Sequence, residues 1–398
     1  MRKYEETHPW LNFKIDLSKL SFKIWMLIGE AQSKCLHLSN VPILPSLQQN
    51  LKQIYLAKGI NATTAIEGNT LSEKQVLDHI NGKLNLPKSQ EYLKQEIDNM
   101  LNLFNDLTNK IEKQPDELKR INLDKIKEYN KNILHNLELT EEVIPGGIRT
   151  HNVRVGKYSA VDYEDCQYLL NEFSIMLENF NDFISQNKEF EISFGIIKSI
   201  IAHLYFNWIH PFGDGNGRTA RLIEFQLLLS SGVPAIAAHI LANHYNITRN
   251  KYYLELEKAT KKQNMDEFIE YAIRGFIDGL REQISMVQED QWTSLAMSLI
   301  ENEFDEKEKS KVNERRKSLA RIILLNRDTD QSFTLNNIMK KHPRIAEKYI
   351  KLIDNDRALY NDLKELCNIN LIIKEGKDYK FNIGLLSFFK TDTMVKKI

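Results

Sequence analysis

Apolar residues recur along most of this chain at the about 3.6-residue spacing of a helix, and few stretches alternate as strands do. The run Ile200-Ile201-Ala202-His203-Leu204-Tyr205-Phe206 predicts an apolar helix, and a second apolar region runs from Leu222 to Ala242. Glu224, Gln226, Gly232 and Pro234 interrupt that second region, so it reads as a pair of buried helices and not as a membrane span. Alternation appears at Val153 and Val155, within the glycine-bounded stretch 145–156, and predicts a short β-hairpin. Prolines at 42, 45 and 87 mark breaks in the N-terminal helical part. Towards the C-terminus, the charged run Glu301–Lys317 predicts an exposed helix. Beyond it, Thr334 is placed to cap a helix through Ile338 and Met339, and Leu359, Leu363 and Leu366 share one face of another. Residues 371–381 then read as two short strands around a turn. The predicted fold class is mainly α, in three segments: a helical region over 1–115, a central core over 116–288 and a separate module over 289–398.

Composition narrows this picture without redirecting it. At 398 residues, two or three domains are expected, and 42% hydrophobic with 27% charged content is ordinary for a soluble globular chain. Lys and Arg total 54 and so do Asp and Glu, so no global charge draws the chain to nucleic acid or a membrane. Cys35, Cys166 and Cys367 are too few and too far apart for a disulfide framework, which suits a reducing cytoplasm. The first residues hold no apolar stretch of the signal-peptide kind.

The chemistry concentrates in His210-Pro211-Phe212-Gly213-Asp214-Gly215-Asn216-Gly217-Arg218-Thr219-Ala220-Arg221. Gly215 and Gly217 lack a Cβ, so the backbone there can turn tightly and approach a ligand. The amides of such a turn, followed by a helix N-terminus, make an anion site. Asn216 offers a neutral amide donor. Arg218 and Arg221, three apart, share a helix face and can clamp neighbouring phosphates. Asp214 supplies the hard oxygen that Mg²⁺ accepts when phosphates and water complete its shell. His210 can take a proton near neutrality from an attacking hydroxyl. His203, His239 and His244 lie in apolar surroundings without metal spacing and read as core residues.

This run resembles the hallmark of the Fic (filamentation induced by cyclic AMP) family, His-x-Phe-x-[Asp/Glu]-Gly-Asn-Gly-Arg-x-x-Arg, with every fixed position present. The resemblance implies an α-helical enzyme that moves AMP from ATP onto a Ser, Thr or Tyr hydroxyl of a protein, itself included, and releases pyrophosphate. It makes His210 the base and Phe212 a core anchor, with Asp214 holding Mg²⁺. Asn216 with the Gly215 and Gly217 amides would bind the α-phosphate, and Arg218 and Arg221 the outer phosphates. Thr63-Thr64-Ala65-Ile66-Glu67-Gly68 is similar to the family's inhibitory motif, which implies that Glu67 pairs with Arg221 and blocks productive ATP binding. Thr63 and Glu67, four apart, are expected on one helix face.

The stretch around Arg149, Thr150, Val153 and Val155 is similar to the family's flap, a hairpin to which the target adds as a strand. After Gly156 the sequence departs from the family pattern. Tyr252 and Tyr253 resemble its adenine-walling pair; the plainer alternative makes one a core residue and the other a surface cap. Thr260 stands where relatives often carry a base-reading Asn. The C-terminal order of helix, helix and hairpin resembles a winged helix. Its mixed charge, from Asp356, Arg357, Asp362, Lys364 and Glu365, favours protein docking or homodimerisation over DNA. A winged-helix regulator with a nucleotide-sensing core is the competing class of function. Other transfers (UMP, phosphate, phosphocholine) and AMP removal also occur among relatives.

Overall fold

The computed structural model describes residues 2–87, 90–305, 310–325, 349, 356–375 and 378–386. Helix α1, Phe22–Asn40, starts where the Ser21 hydroxyl accepts the Ile24 N–H, and it buries Ile24, Ile28, Ala31, Cys35 and Leu38 at helical spacing. An extended break at Val41–Leu44 precedes α2, Pro45–Ala65, which has proline in its first turn. Helix α3, Glu73–Ile80, opens with a reciprocal capping box between Ser72 and Gln75. Then follow α4, Tyr92–Lys113, and α5, Leu123–Ile133. A two-stranded antiparallel hairpin, β1 Arg154–Val155 and β2 Tyr158–Ser159, leads to α6, Cys166–Ser185.

Helix α7, Glu191–Ile209, is buried on every side from Ser193 to Phe206. Among the described residues, Lys188–Ile209 is the one segment long and apolar enough to cross a membrane, and 89% of its apolar window is buried in the fold. It is the core helix. Helix α8, Asn216–Ser230, packs against it, and Gly232, at φ +83°, turns the chain towards α9, Ile240–Ile247. Helices α10, Arg249–Lys262, and α11, Asp266–Asp305, follow.

Residues Met1–Ile284 form one compact unit and Ser285–Ile398 another. The helical region 1–115 and the central segment thus share one compact unit. Helices α2 and α4 both pack on α8, and α1 packs on α7. Their apolar faces have no other core to enter.

In the second unit, α12 (Lys311–Leu325) and α13 (Asp356–Asn368) pack with the antiparallel pair β3 (Ile372–Glu375) and β4 (Asp378–Phe381). Leu363 and Leu366 are buried, and Leu359 packs against the same cluster. The helix expected at Thr334, Ile338 and Met339 lies outside the described residues. The charged run 301–317 is not one solvated helix. It divides between the end of α11 and the start of α12, and the Arg315 guanidinium reaches the buried Asp362 carboxylate at 2.5 Å. A buried carboxylate needs such a partner.

Candidate active site

Helix α7 ends because His210 takes left-handed geometry, at φ 47° and ψ 60°, with its N–H still bonded to the Phe206 carbonyl. A side chain with a Cβ seldom adopts that conformation unless its surroundings hold it there. The holder is Arg149. Its Nε donates to the His210 carbonyl at 2.9 Å, its Nη1 donates to His151 O at 2.7 Å, and its Nη2 donates to Val161 O. The Arg149 N–H also bonds the Pro211 carbonyl, and Ile148 pairs with Phe212 as an isolated antiparallel bridge.

Phe212 is buried, and Asn216 closes the loop behind it: Oδ1 accepts the Phe212 N–H at 2.9 Å and Nδ2 donates to Phe212 O at 2.8 Å. Asn216 is thus a staple of the loop, with one of its two amide N–H groups committed to Phe212 O. Gly215, at φ +77°, caps α8, and Asn130 of α5 ties the turn down through Nδ2 to Asp214 O and Oδ1 to the Gly146 N–H.

Both arginines of the turn are engaged by carboxylates. Arg221 is almost wholly buried; its Nη2 donates to Glu67 Oε1 at 2.5 Å and to the Thr63 carbonyl at 2.9 Å. A Cβ added at Gly217 would collide with that Glu67 oxygen, so the carboxylate lies over the first turn of α8, where an anion is favoured. Burial pushes the Glu67 carboxyl upward, but the Arg221 and Arg218 guanidinium groups outweigh it and hold it below the usual range. Arg218 is gripped by Glu96 at 2.6 Å and Asp214 at 3.0 Å. The buried Nε atoms of both arginines carry no hydrogen bond.

Burial, with the nearby Arg149 cation, lowers His210 to about 4, against the opposing pull of Glu67 and Asp214. The imidazole is therefore neutral at pH 7. It lines a cavity of about 760 Å³ together with Trp208, Tyr253, Thr260, Tyr158 and Trp10. Residues 213–221 do not line that cavity. A proton acceptor thus stands between a roomy pocket and an anion site covered by a carboxylate.

Residues 120–228 match the sequence model of the Fic/DOC family. This chain carries a Fic domain. It is similar to the protein adenylyltransferase fic-1 of Caenorhabditis briggsae, at 28% identity over 246 residues, covering 61% of this chain and 43% of that protein. It is also similar to the protein adenylyltransferase Fic of Nematostella vectensis, at 27% over 201 residues, covering 50% and 43%. The chain spans less than half the length of these curated relatives. A Fic family protein from Desulfovibrio desulfuricans G20 superposes over 92% of this chain and 97% of its own, with TM-score 0.53 and 19% identity. Fic-1 from C. elegans gives 0.50 over 67% and 73%, at 23% identity. At such identities the likeness shows the mainly helical Fic fold.

Several residues stand elsewhere than the sequence placed them. Helix α2 ends at Ala65, so Thr63 and Glu67 do not share a helix face; Glu67 sits in the following turn, and Thr63 meets Arg221 through its carbonyl while its buried hydroxyl has no partner. Gly68, at φ +111°, makes that turn. The hairpin is short, with Gly156 at its tip, because the glycine's positive φ reverses the chain there. Val155 lies in β1, and Val153 accepts the Ala160 N–H just beyond the ladder. Thr150 is exposed before the hairpin, and Arg149 is a buried strut, not a hairpin residue. Of the tyrosine pair, only Tyr253 lines the cavity. Tyr252 is buried, its hydroxyl bonded to His203 Nε2 at 2.9 Å and its ring stacked on Tyr245. The Thr260 hydroxyl already accepts the Trp208 indole N–H at 2.9 Å.

Sequence reasoning missed four contributors. The N-terminal segment brings His8, whose Nε2 donates to the Ser159 carbonyl of the hairpin at 3.0 Å, and Trp10 against Trp208. Arg249 donates to Ile66 O at 2.6 Å and Ala65 O at 3.3 Å, capping α2 beside Glu67. Glu96 and Asn130 hold the loop from α4 and α5. Asn130 left a trace: it shares the buried face of Ile126, Tyr129 and Ile133, where an amide needs a polar partner.

Magnesium is implied by the Fic resemblance. No group of three or more His, Cys, Asp or Glu side chains able to hold a metal occurs among the described residues. Asp214 fits as a lone carboxylate ligand: Oδ1 takes the Gly215 N–H and Arg218, leaving Oδ2, and its side chain is 45% exposed. That suits a cation completed by phosphate oxygens and water.

Proposed function

We propose that this protein is an adenylyltransferase that moves AMP from ATP to a protein hydroxyl and that Glu67 restrains it. The observation that carries this reading is the Glu67 carboxylate on Arg221, over the first turn of α8, next to a neutral His210 that faces an open cavity. A carboxylate at an anion site marks where a phosphate would bind. The curated relatives, named as protein adenylyltransferases, supply the same nucleotide and reaction.

With Glu67 displaced, the triphosphate lies along the N-terminus of α8 with its outer phosphates on Arg218 and Arg221. Asp214 would hold Mg²⁺, which would supply positive charge against the phosphates. The target hydroxyl oxygen bonds to the α-phosphorus and its proton passes to the His210 imidazole. The bond from the α-phosphorus to the bridging oxygen breaks, and pyrophosphate leaves. Strand addition along the hairpin would present a Ser, Thr or Tyr of the target, or of the protein itself. The second unit is read as a winged-helix-like docking module with protein partners or a second copy, in the cytoplasm.

Labelled ATP tests this. Glu67→Gly should incorporate an α-phosphate label at least about tenfold faster than the parent and take up none of a γ-phosphate label. His210→Ala in that background should abolish incorporation and still bind ATP. ATP binding without α-label transfer in Glu67→Gly would discard the transferase and favour a nucleotide sensor.

A further inference from the structure

Three carboxylates engage the arginines of the anion site, Glu67 on Arg221 and both Asp214 and Glu96 on Arg218, and Glu96 comes from a helix outside the motif. Glu96 of α4 accepts from Arg218 Nη1 at 2.6 Å; the two side chains are 14% and 7% exposed. The other oxygen of Glu96 accepts from Asn69 Nδ2 at 2.9 Å. Asn69 is buried and lies two residues after Glu67. It anchors that turn through its Nδ2 to Leu93 O at 3.1 Å, its Oδ1 from the Leu71 N–H at 3.1 Å and its N–H to Thr64 O at 3.1 Å. An unbroken polar chain therefore runs from Asp214 through Arg218, Glu96 and Asn69 to the turn that presents Glu67 to Arg221.

We propose that Glu96 is a positioning residue that couples the two arginines, holding Arg218 at one end and the Glu67 turn at the other. Arg218 can reorient towards a phosphate only by loosening its bond to Glu96, and that frees one anchor of Asn69. Release of Glu67 from Arg221 loosens the same chain at its opposite end. Filling either arginine with phosphate then favours filling the second, a coupling carried by hydrogen-bonded groups in direct contact. The adjacent carboxylate charge also opposes anion binding until it is outweighed. This inference rests on the anion site being a nucleotide site, as proposed above.

A double-mutant cycle on ATP affinity tests it, run in the His210→Ala background so that no turnover enters the measurement. With Glu67 present, Glu96→Gln should tighten ATP binding about fivefold or more, since the turn loses an anchor and a negative charge leaves Arg218. With Glu67→Gly, the same change should leave affinity unaltered or weaken it, because Arg218 then loses only its orientation. Asn69→Ala, which spares the Glu96–Arg218 pair, should tighten binding with Glu67 and do nothing without it. Thermal melts confirm that each variant folds. Equal fold-changes of Glu96→Gln in both backgrounds would overturn the coupling, since a merely structural role acts alike in each. Failure of the transferase reading has a different signature: nucleotide would bind and the cycle would remain measurable, but no label would be transferred by Glu67→Gly with His210 intact.

Discussion

A guanidinium beside a candidate catalytic imidazole works against protonation of that imidazole, and in this site it does so while fixing the backbone. Arg149 holds the His210 carbonyl, and its charge adds to burial in lowering His210 to about 4. The ordinary histidine value is about 6.5, so the neutral, proton-accepting form persists well below neutral pH. Transfer by Glu67→Gly should therefore stay nearly constant from pH 8 down to about 5, measured as initial rate of α-label incorporation. An acid limb near the ordinary histidine value would show that nucleotide binding replaces the surroundings seen here. Residue identity alone gave His210, Asp214, Arg218 and Arg221 their chemistry. It did not reveal that Asn216 would close the loop on Phe212, and it left open which tyrosine of the 252–253 pair would be core, because both depend on which neighbour lies within hydrogen-bond reach.

At the scale of elements, close helix contact sets where Glu67 lies. Helix α2 passes the residue that opens α9 so closely that a Cβ on Gly59 would collide with the His239 ring. His239 has no room to yield: it stacks on Phe225 at 4.5 Å and meets Phe104 edge-on at 4.9 Å. Gly59→Ala should thus destabilise the protein by about 1–3 kcal/mol in chemical denaturation, despite the better helix propensity of alanine. An unchanged denaturation midpoint would mean that the helices separate freely. The long helices were legible because apolar spacing survives in any environment; α7 and the interrupted pair α8 and α9 are cases. The hairpin was misplaced because two-residue strands leave too few positions for alternation to define a register. The α2 terminus was misread for a similar reason. Gly68 sets the turn geometry, and Arg249 and Asn69 stabilise it from remote parts of the chain.

For the molecule as a whole, buried histidines make stability depend on acid. Burial lowers His239 to about 3 and His210 and His244 to about 4, and it holds His203 well below the ordinary value. An unfolded chain takes up those protons near pH 6.5, whereas the folded one does so only at much lower pH. Stability is thus complete above about 6.5 and falls towards pH 4 by about 1.4 kcal/mol per pH unit for each such histidine. Glu224, raised by burial to about 8, opposes this with one proton, since it stays neutral in the fold while its unfolded form ionises above about 4.5. Four histidines outweigh it. The melting temperature should fall steadily from pH 7 to pH 5, and His239→Leu should flatten that slope by roughly one histidine's share. A slope identical to the parent's would remove His239 from the account.

The amino-acid order alone determined the helical class and the twelve-residue constellation, since these follow from residue type and local spacing, which any fold of this chain must carry; the opposition of Glu67 to Arg221, 154 residues apart, was implied only by the family resemblance. Tertiary structure decided how those groups are held: the strut from Arg149, the staple of Asn216, the brace through Glu96 and Asn69, and the arm bearing His8 and Trp10. Each joins residues distant along the chain through contacts of a few ångströms, and hydrogen-bond geometry has no one-dimensional signature.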